Sequence, residues 1–134
     1  MTTHSFYRYV SDALGAQATP ELTRRATAAV FHALRDRLMP EEADQVMAQL
    51  PTELKAVWQA GEAGERRPLK LTREEFYERV RVDTGSASRR DARWLTVAVF
   101  GALQKQLSPG EAAAVLAQLP QDLKETWTEA VPRD

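Results

Sequence analysis

The chain repeats itself, and that limits its fold more than any other feature. Val30-Phe31-His32-Ala33-Leu34 returns as Val99-Phe100-Gly101-Ala102-Leu103, 69 positions later. At the same offset Ala48-Gln49-Leu50-Pro51 returns as Ala117-Gln118-Leu119-Pro120, and Leu54-Lys55 with Trp58 returns as Leu123-Lys124 with Trp127. Residues 30–58 and 99–127 align without a gap and are identical at 16 of 29 positions. Upstream, Phe6-Tyr7 and Val10 match Phe76-Tyr77 and Val80 at an offset of 70, so the second copy is one residue shorter between its first two helices. Whatever the first copy folds into, the second must fold into as well. A unit of about 60 residues buries too little surface to be comfortably stable alone, so the two are expected to need each other.

Each copy reads as four helices. Thr19-Pro20 pairs an N-cap with a proline at the first helical position, where its missing N–H costs nothing. From there Leu22, Ala26, Ala29, Val30, Ala33, Leu34 and Leu38 recur at helical spacing, with Phe31 at the edge. These positions cover an arc of roughly 200°, which marks a central helix packed on two sides. Its counterpart carries Ala92, Leu95, Val99, Phe100, Leu103 and Leu107, and Trp94 widens the arc. Ser108-Pro109-Gly110-Glu111 and Thr72-Arg73-Glu74-Glu75 have capping-box form, and Ser88 with Asp91 caps the sixth helix. The third helices are expected to bury Ala43, Val46, Met47 and Leu50, or Ala112, Val115, Leu116 and Leu119. Pro51 and Pro120 then force a turn. The fourth helices set Leu54 and Leu123 four residues before Trp58 and Trp127. No stretch alternates as a strand does.

The expected fold is therefore all-α. It is a tandem duplication of a four-helix unit, with eight helices packed as one pseudo-twofold helical bundle. Residues 1–60 form the first repeat, 61–71 a linker and 72–134 the second repeat, the halves meeting through helices two and six.

Several function classes are disfavoured by composition. Residues 1–60 carry six basic and seven acidic groups, and residues 61–134 carry twelve of each. That balance lacks the basic excess that nucleic-acid backbones require. With no cysteine there is no thiolate chemistry and no ordinary structural zinc site, which fits a reducing cytoplasm. Met1-Thr2-Thr3-His4-Ser5 lacks the form of a signal peptide, and no apolar run is long enough to cross a membrane.

The stretch from Gln49-Leu50-Pro51-Thr52-Glu53-Leu54-Lys55 through Trp58 and Gly61 to Thr72-Arg73-Glu74-Glu75-Phe76 carries a resemblance. Together with Gly110-Glu111 and Ala117 to Lys124 through Trp127, it resembles the bacterial family known as domain of unknown function 2267. The resemblance covers nearly the whole chain. It implies the duplicated helical fold and a bacterial, intracellular setting, but no catalytic or binding residue. The Glu- and Arg-rich segment after Gly61 lacks the aromatic residue common there in that family, which implies a looser linker.

Reactive constellations are absent from the sequence. His4 lies in a terminus expected to fray, and His32 falls on the polar side of the second helix, replaced by Gly101 in the other copy. Glu41, Glu42 and Asp44 start the third helix, where negative charge suits the helix dipole. Six scattered glycines form no phosphate loop, and Ser86 and Ser88 have no histidine at helical spacing. Arginines gather at Arg24 and Arg25, Arg66 and Arg67, and Arg89, Arg90 and Arg93. The last three open a helix and are the candidate anion contact. Trp58 and Trp127 read as core. Trp94 stands where the other copy has Arg25, so the repeat does not require it; it either fills the interface between halves or contacts a partner.

The expected function is a non-enzymatic interaction or scaffolding module for a protein partner or a second copy of the chain. The alternative is a small-ligand sensor with a pocket between the repeats, lined by tryptophans and methionines. No cofactor, metal, nucleic acid or membrane is expected, and the expected location is cytoplasmic.

Overall fold

Five of the helices open on a threonine or serine whose side chain accepts from an N–H of the first turn, and the other three begin at or just after a proline. The computed structural model describes residues 1–62, 66 and 68–132, and those residues form eight α-helices and no strand. The helices are α1 (Thr3–Leu14), α2 (Pro20–Arg37), α3 (Pro40–Ala48), α4 (Thr52–Gln59), α5 (Arg73–Thr84), α6 (Arg89–Gln106), α7 (Pro109–Gln118) and α8 (Gln121–Glu129). A single 3₁₀ turn, Gly15–Gln17, joins α1 to α2. Of the expected linker, residues 63–65 and 67 lie outside the described residues, so the pairing of Arg66 with Arg67 does too. Arg66 itself binds Asp44 at 2.7 Å and Glu62 at 2.6 Å, and Leu69 N–H donates to the Asp36 carbonyl at 2.7 Å.

Two readings of the helix starts change and one holds. Thr2 and Ser5 form a reciprocal capping box, so His4 is an exposed residue in the first turn of α1 and not part of a frayed end. Thr72 and Glu75 cap α5 reciprocally, as their spacing implies. Ser108 Oγ accepts from Glu111 N–H at 3.2 Å, but the return bond is missing. The Ser108 N–H instead donates to Gln49 Oε1 at 2.8 Å, and the Glu111 carboxyl turns to another partner.

Two aromatic clusters organise the core. Phe6, Phe31 and Trp58 pack edge to face with centroids 5.6 and 5.3 Å apart, tying α1, α2 and α4 together. Phe76, Phe100 and Trp127 do the same for α5, α6 and α8, at 5.8 and 5.0 Å. Such contacts add about 0.5–1.5 kcal/mol per pair to the burial of the rings. Trp58 and Trp127 are both buried, as core residues should be.

α2 and α6 cross each other, but the N-terminal and C-terminal helices are joined more widely than that. α1 lies against α6 more extensively than against α2, and α5 packs along both α2 and α6. The expectation of joining through helices two and six is therefore incomplete. α3 and α7 also touch. There Gln49 meets Ser108, Gln118 Oε1 accepts from Met39 N–H at 2.9 Å, and Gln106 donates to the Gln49 carbonyl at 2.6 Å. These bonds satisfy backbone groups at helix ends with side chains from the far part of the chain. The Arg79 guanidinium reaches from α5 to Asp36 on α2 at 2.6 Å. At the matching place Lys105 Nζ stands 5.6 Å from the centre of the Tyr9 ring.

The polar sides of α2 and α6 hold the ends of the short helices. Arg35, only 5% exposed, donates to the carbonyls of Trp58 at 2.7 Å and Ala60 at 2.8 Å. Gln104 donates to the Trp127 carbonyl at 2.7 Å. His32 is half-buried and donates Nε2–H to the Val57 carbonyl at 2.7 Å, so it is a structural tie and not a solvated surface residue.

Candidate functional site

Trp94 lies in the second turn of α6, on the flank of the apolar face formed by Leu95, Val99 and Phe100. Because the centre of that face is filled, the indole is only half-buried. It borders a groove of about 480 Å³ whose walls come from both ends of the chain. α1 supplies Tyr9, Asp12 and Ala13, α6 supplies Val97 and Ala98, and the end of α8 supplies Glu129 with Ala130 and Val131 after it. Val131 is 54% exposed, leaving an open apolar rim. No methionine lines this groove, unlike the tryptophan-and-methionine pocket expected between the repeats.

Gly101 shapes the floor. A Cβ there would stand 2.9 Å from the Tyr9 hydroxyl and 3.1 Å from the Ala130 carbonyl oxygen, so any side chain at this position pushes α1 or the end of α8 away. Burial raises the Tyr9 hydroxyl above its usual pKa. Residue 25, one repeat length before Trp94, is an exposed arginine paired with Glu21 at 3.5 Å.

Two of the three arginines expected to form an anion contact are held by separate carboxylates. Arg89 binds Glu78 at 3.2 Å, and Glu78 also holds Arg81 at 2.7 Å. Hydrogen bonds from Arg81 and Arg89 lower the Glu78 carboxyl to about 2. Arg93 pairs with Glu129 at the edge of the Trp94 groove, and Arg90 is exposed.

A second cluster went unread in the sequence. Glu42, in the first turn of α3, faces Glu111, in the first turn of α7, where these two helices touch. Burial, and then the hydrogen bond and charge of Glu42, push the Glu111 carboxyl up to about 7. Two carboxylates brought together away from water do not both ionise cheaply, which favours the neutral form of Glu111. The Oε2 atoms of both side chains are shut off from solvent. The readable signal was positional: the two glutamates are 69 residues apart, the offset of the repeat. The first-turn carboxylates therefore do more than suit the helix dipole, since Asp44 binds Arg66 as well.

Among the described residues no group of three or more His, Asp or Glu side chains is placed to hold a metal ion, and no helix is long and apolar enough to cross a membrane. No curated protein matches the chain. A family model does, over residues 3–126, nearly the whole length. The chain belongs to the family described as "Uncharacterized conserved protein (DUF2267)".

Proposed function

We propose that this chain is a non-enzymatic interaction module that docks a partner segment in the Trp94 groove. The observation carrying this reading is that a half-exposed tryptophan stands in a groove drawn from both ends of the chain. Packing does not call for an aromatic at that position, because an exposed arginine serves 69 residues earlier. A half-buried tryptophan on an open apolar surface is a common anchor for partner chains. The occupant with the best fit is an amphipathic helix that sets its apolar face on Trp94, Val97 and Val131 and places a basic residue beside Asp12.

The same reading takes the fold as a tandem duplication with pseudo-twofold packing. The 16 identities in 29 aligned positions support it, as do the matched contacts α1 on α6 and α5 on α2. The absence of cysteine fits work in a bacterial cytoplasm.

The test is capture of binding proteins from extract by the native chain and by Trp94→Ala, with sedimentation of the chain alone beside it. A partner enriched by the native chain and lost from the variant supports the module. Concentration-dependent dimerisation that the variant abolishes assigns the groove to a second copy. Neither result leaves the second reading, a small-ligand sensor, which the groove volume suits. Thermal stabilisation by a metabolite checks that.

A further inference from the structure

On another part of the surface, α1 and the first turns of α2 enclose a groove of about 290 Å³. His4, Tyr7, Arg8, Ser11, Thr23 and Arg24 line it, with Pro20 at the start of α2. No carboxylate is among these residues. The acidic residues nearest in the chain are engaged or placed elsewhere: Asp12 borders the Trp94 groove, Glu21 pairs with Arg25, and Glu53 accepts from the Thr3 hydroxyl at 2.8 Å. Tyr7 on α1 and Arg24 on α2 line the groove from its two sides. Thr23 is 3% exposed, and its Oγ1 has no hydrogen-bond partner among the described residues.

The matching positions further along the chain act as an internal control. Arg8 corresponds to Glu78, Ser11 to Arg81, Pro20 to Arg89 and Thr23 to Ala92. There Glu78 binds both Arg81 and Arg89, so each of those cations already has a carboxylate partner. Tyr77 meets the Thr126 hydroxyl at 2.7 Å, whereas the residue matching Thr126 on α4 is the apolar Val57. The α1–α2 groove thus keeps two cations, a phenol and two hydroxyls that the α5–α6 cluster either lacks or satisfies internally.

We propose that the α1–α2 groove binds the phosphoryl group of a small soluble phosphate monoester. Arg8 and Arg24 supply charge, Ser11 donates a hydroxyl hydrogen bond, and the start of α2 adds its positive end. The Tyr7 ring lies beside the organic part of the ligand. This site is separate from the Trp94 groove, and either can fail without the other.

The test is an amide NMR titration at constant ionic strength with inorganic phosphate and with phenyl phosphate, chloride serving as control. Saturable shifts are expected at residues 8, 11, 23 and 24, with phenyl phosphate binding more tightly than phosphate. Arg8→Glu copies the charge found in the α5–α6 cluster and should weaken binding by about tenfold or more. Arg90→Ala, an exposed arginine outside the groove, should leave it unchanged. Both changes are on the surface, so the fold is retained. Linear shifts without saturation, or equal binding by Arg8→Glu, overturn the proposal. So does sedimentation with phosphatidic acid vesicles without saturable shifts from the soluble phosphates, which assigns the groove to a lipid headgroup.

Discussion

Glu42 and Glu111 stand 69 residues apart in the chain and come together where α3 meets α7. Two ionised carboxylates at that distance would repel each other in a place closed to water. The contact between the N-terminal and C-terminal helices is therefore sensitive to pH.

Glu111 titrates at about 7 in the folded chain, above its ordinary value of 4.5. Its raised value means that the stability it contributes is complete below 4.5 and is lost as pH rises through about 7. Glu111→Gln keeps a donor for Glu42 and does not titrate. Its melting temperature should match the native chain near pH 5 and exceed it near pH 8, by roughly 2–6 °C. Parallel pH dependences of the melting temperature for the two proteins would contradict the raised Glu111 value. Asp36 and Glu78 act in the opposite sense. Burial alone would raise Asp36, but hydrogen bonds from Arg35 and Arg79 lower it, and Glu78 falls to about 2. Their contributions are present above the ordinary carboxylate range and are lost as pH falls.

Arg35 and Gln104 do the same work at the ends of α4 and α8, each donating to the carbonyl of a core tryptophan. Arg35→Gln should therefore be tolerated better than Arg35→Leu. The glutamine can reach Trp58 O, giving up only the bonds to Ala60 and Asp36. The leucine leaves two carbonyls without a donor, so about 3 kcal/mol of destabilisation is expected against about 1 kcal/mol for the glutamine. Urea unfolding of both variants measures the difference, and equal losses would contradict the capping role.

Gln49 and Gln118 each accept from the N–H that opens the opposite short helix, Ser108 or Met39. Replacing either with alanine should cost about 1 kcal/mol, with the Gln49 change the larger. Gln49 also donates to Ser108 Oγ at 3.3 Å. Chemical denaturation of the two single variants checks this. A Gln118→Ala protein less stable than Gln49→Ala would reverse the ranking.

Gly101→Ala sets two effects against each other. Alanine favours the helix by about 1 kcal/mol, while overpacking costs about 1–3 kcal/mol. The new Cβ would lie 2.9 Å from the Tyr9 hydroxyl, which can swing away, and 3.1 Å from the Ala130 backbone oxygen, which cannot do so cheaply. A net loss of about 1 kcal/mol is expected, with a shift in Trp94 fluorescence as the Tyr9 wall moves. A stabilised variant with unchanged fluorescence would show that the floor is softer than its distances imply.

Much of this architecture was legible in the residues. Thr19-Pro20, Thr72 with Glu75 and Ser88 with Asp91 mark helix starts at the places where the helices begin. The apolar spacing of α2 and α6 identified residues that are buried, with Leu22 only half-buried at the start of α2, and Trp58 and Trp127 were recognisable as core. The Trp94 groove was legible only as one unexplained tryptophan. Its other walls, Tyr9, Asp12 and Val131, lie far from residue 94 in the chain.

The sequence by itself determined the helices, their caps and the faces they bury, because these depend on a 3.6-residue period and on hydrogen bonds within a few positions. Only the tertiary structure decided that α1 lies on α6, that His32 ties down Val57 and that Glu111 leaves its own cap for Glu42. A helical pattern says which side of a helix is apolar and which is polar. It does not name the helix that will cover either side, since that choice rests on shape and on donors and acceptors brought together from distant parts of the chain.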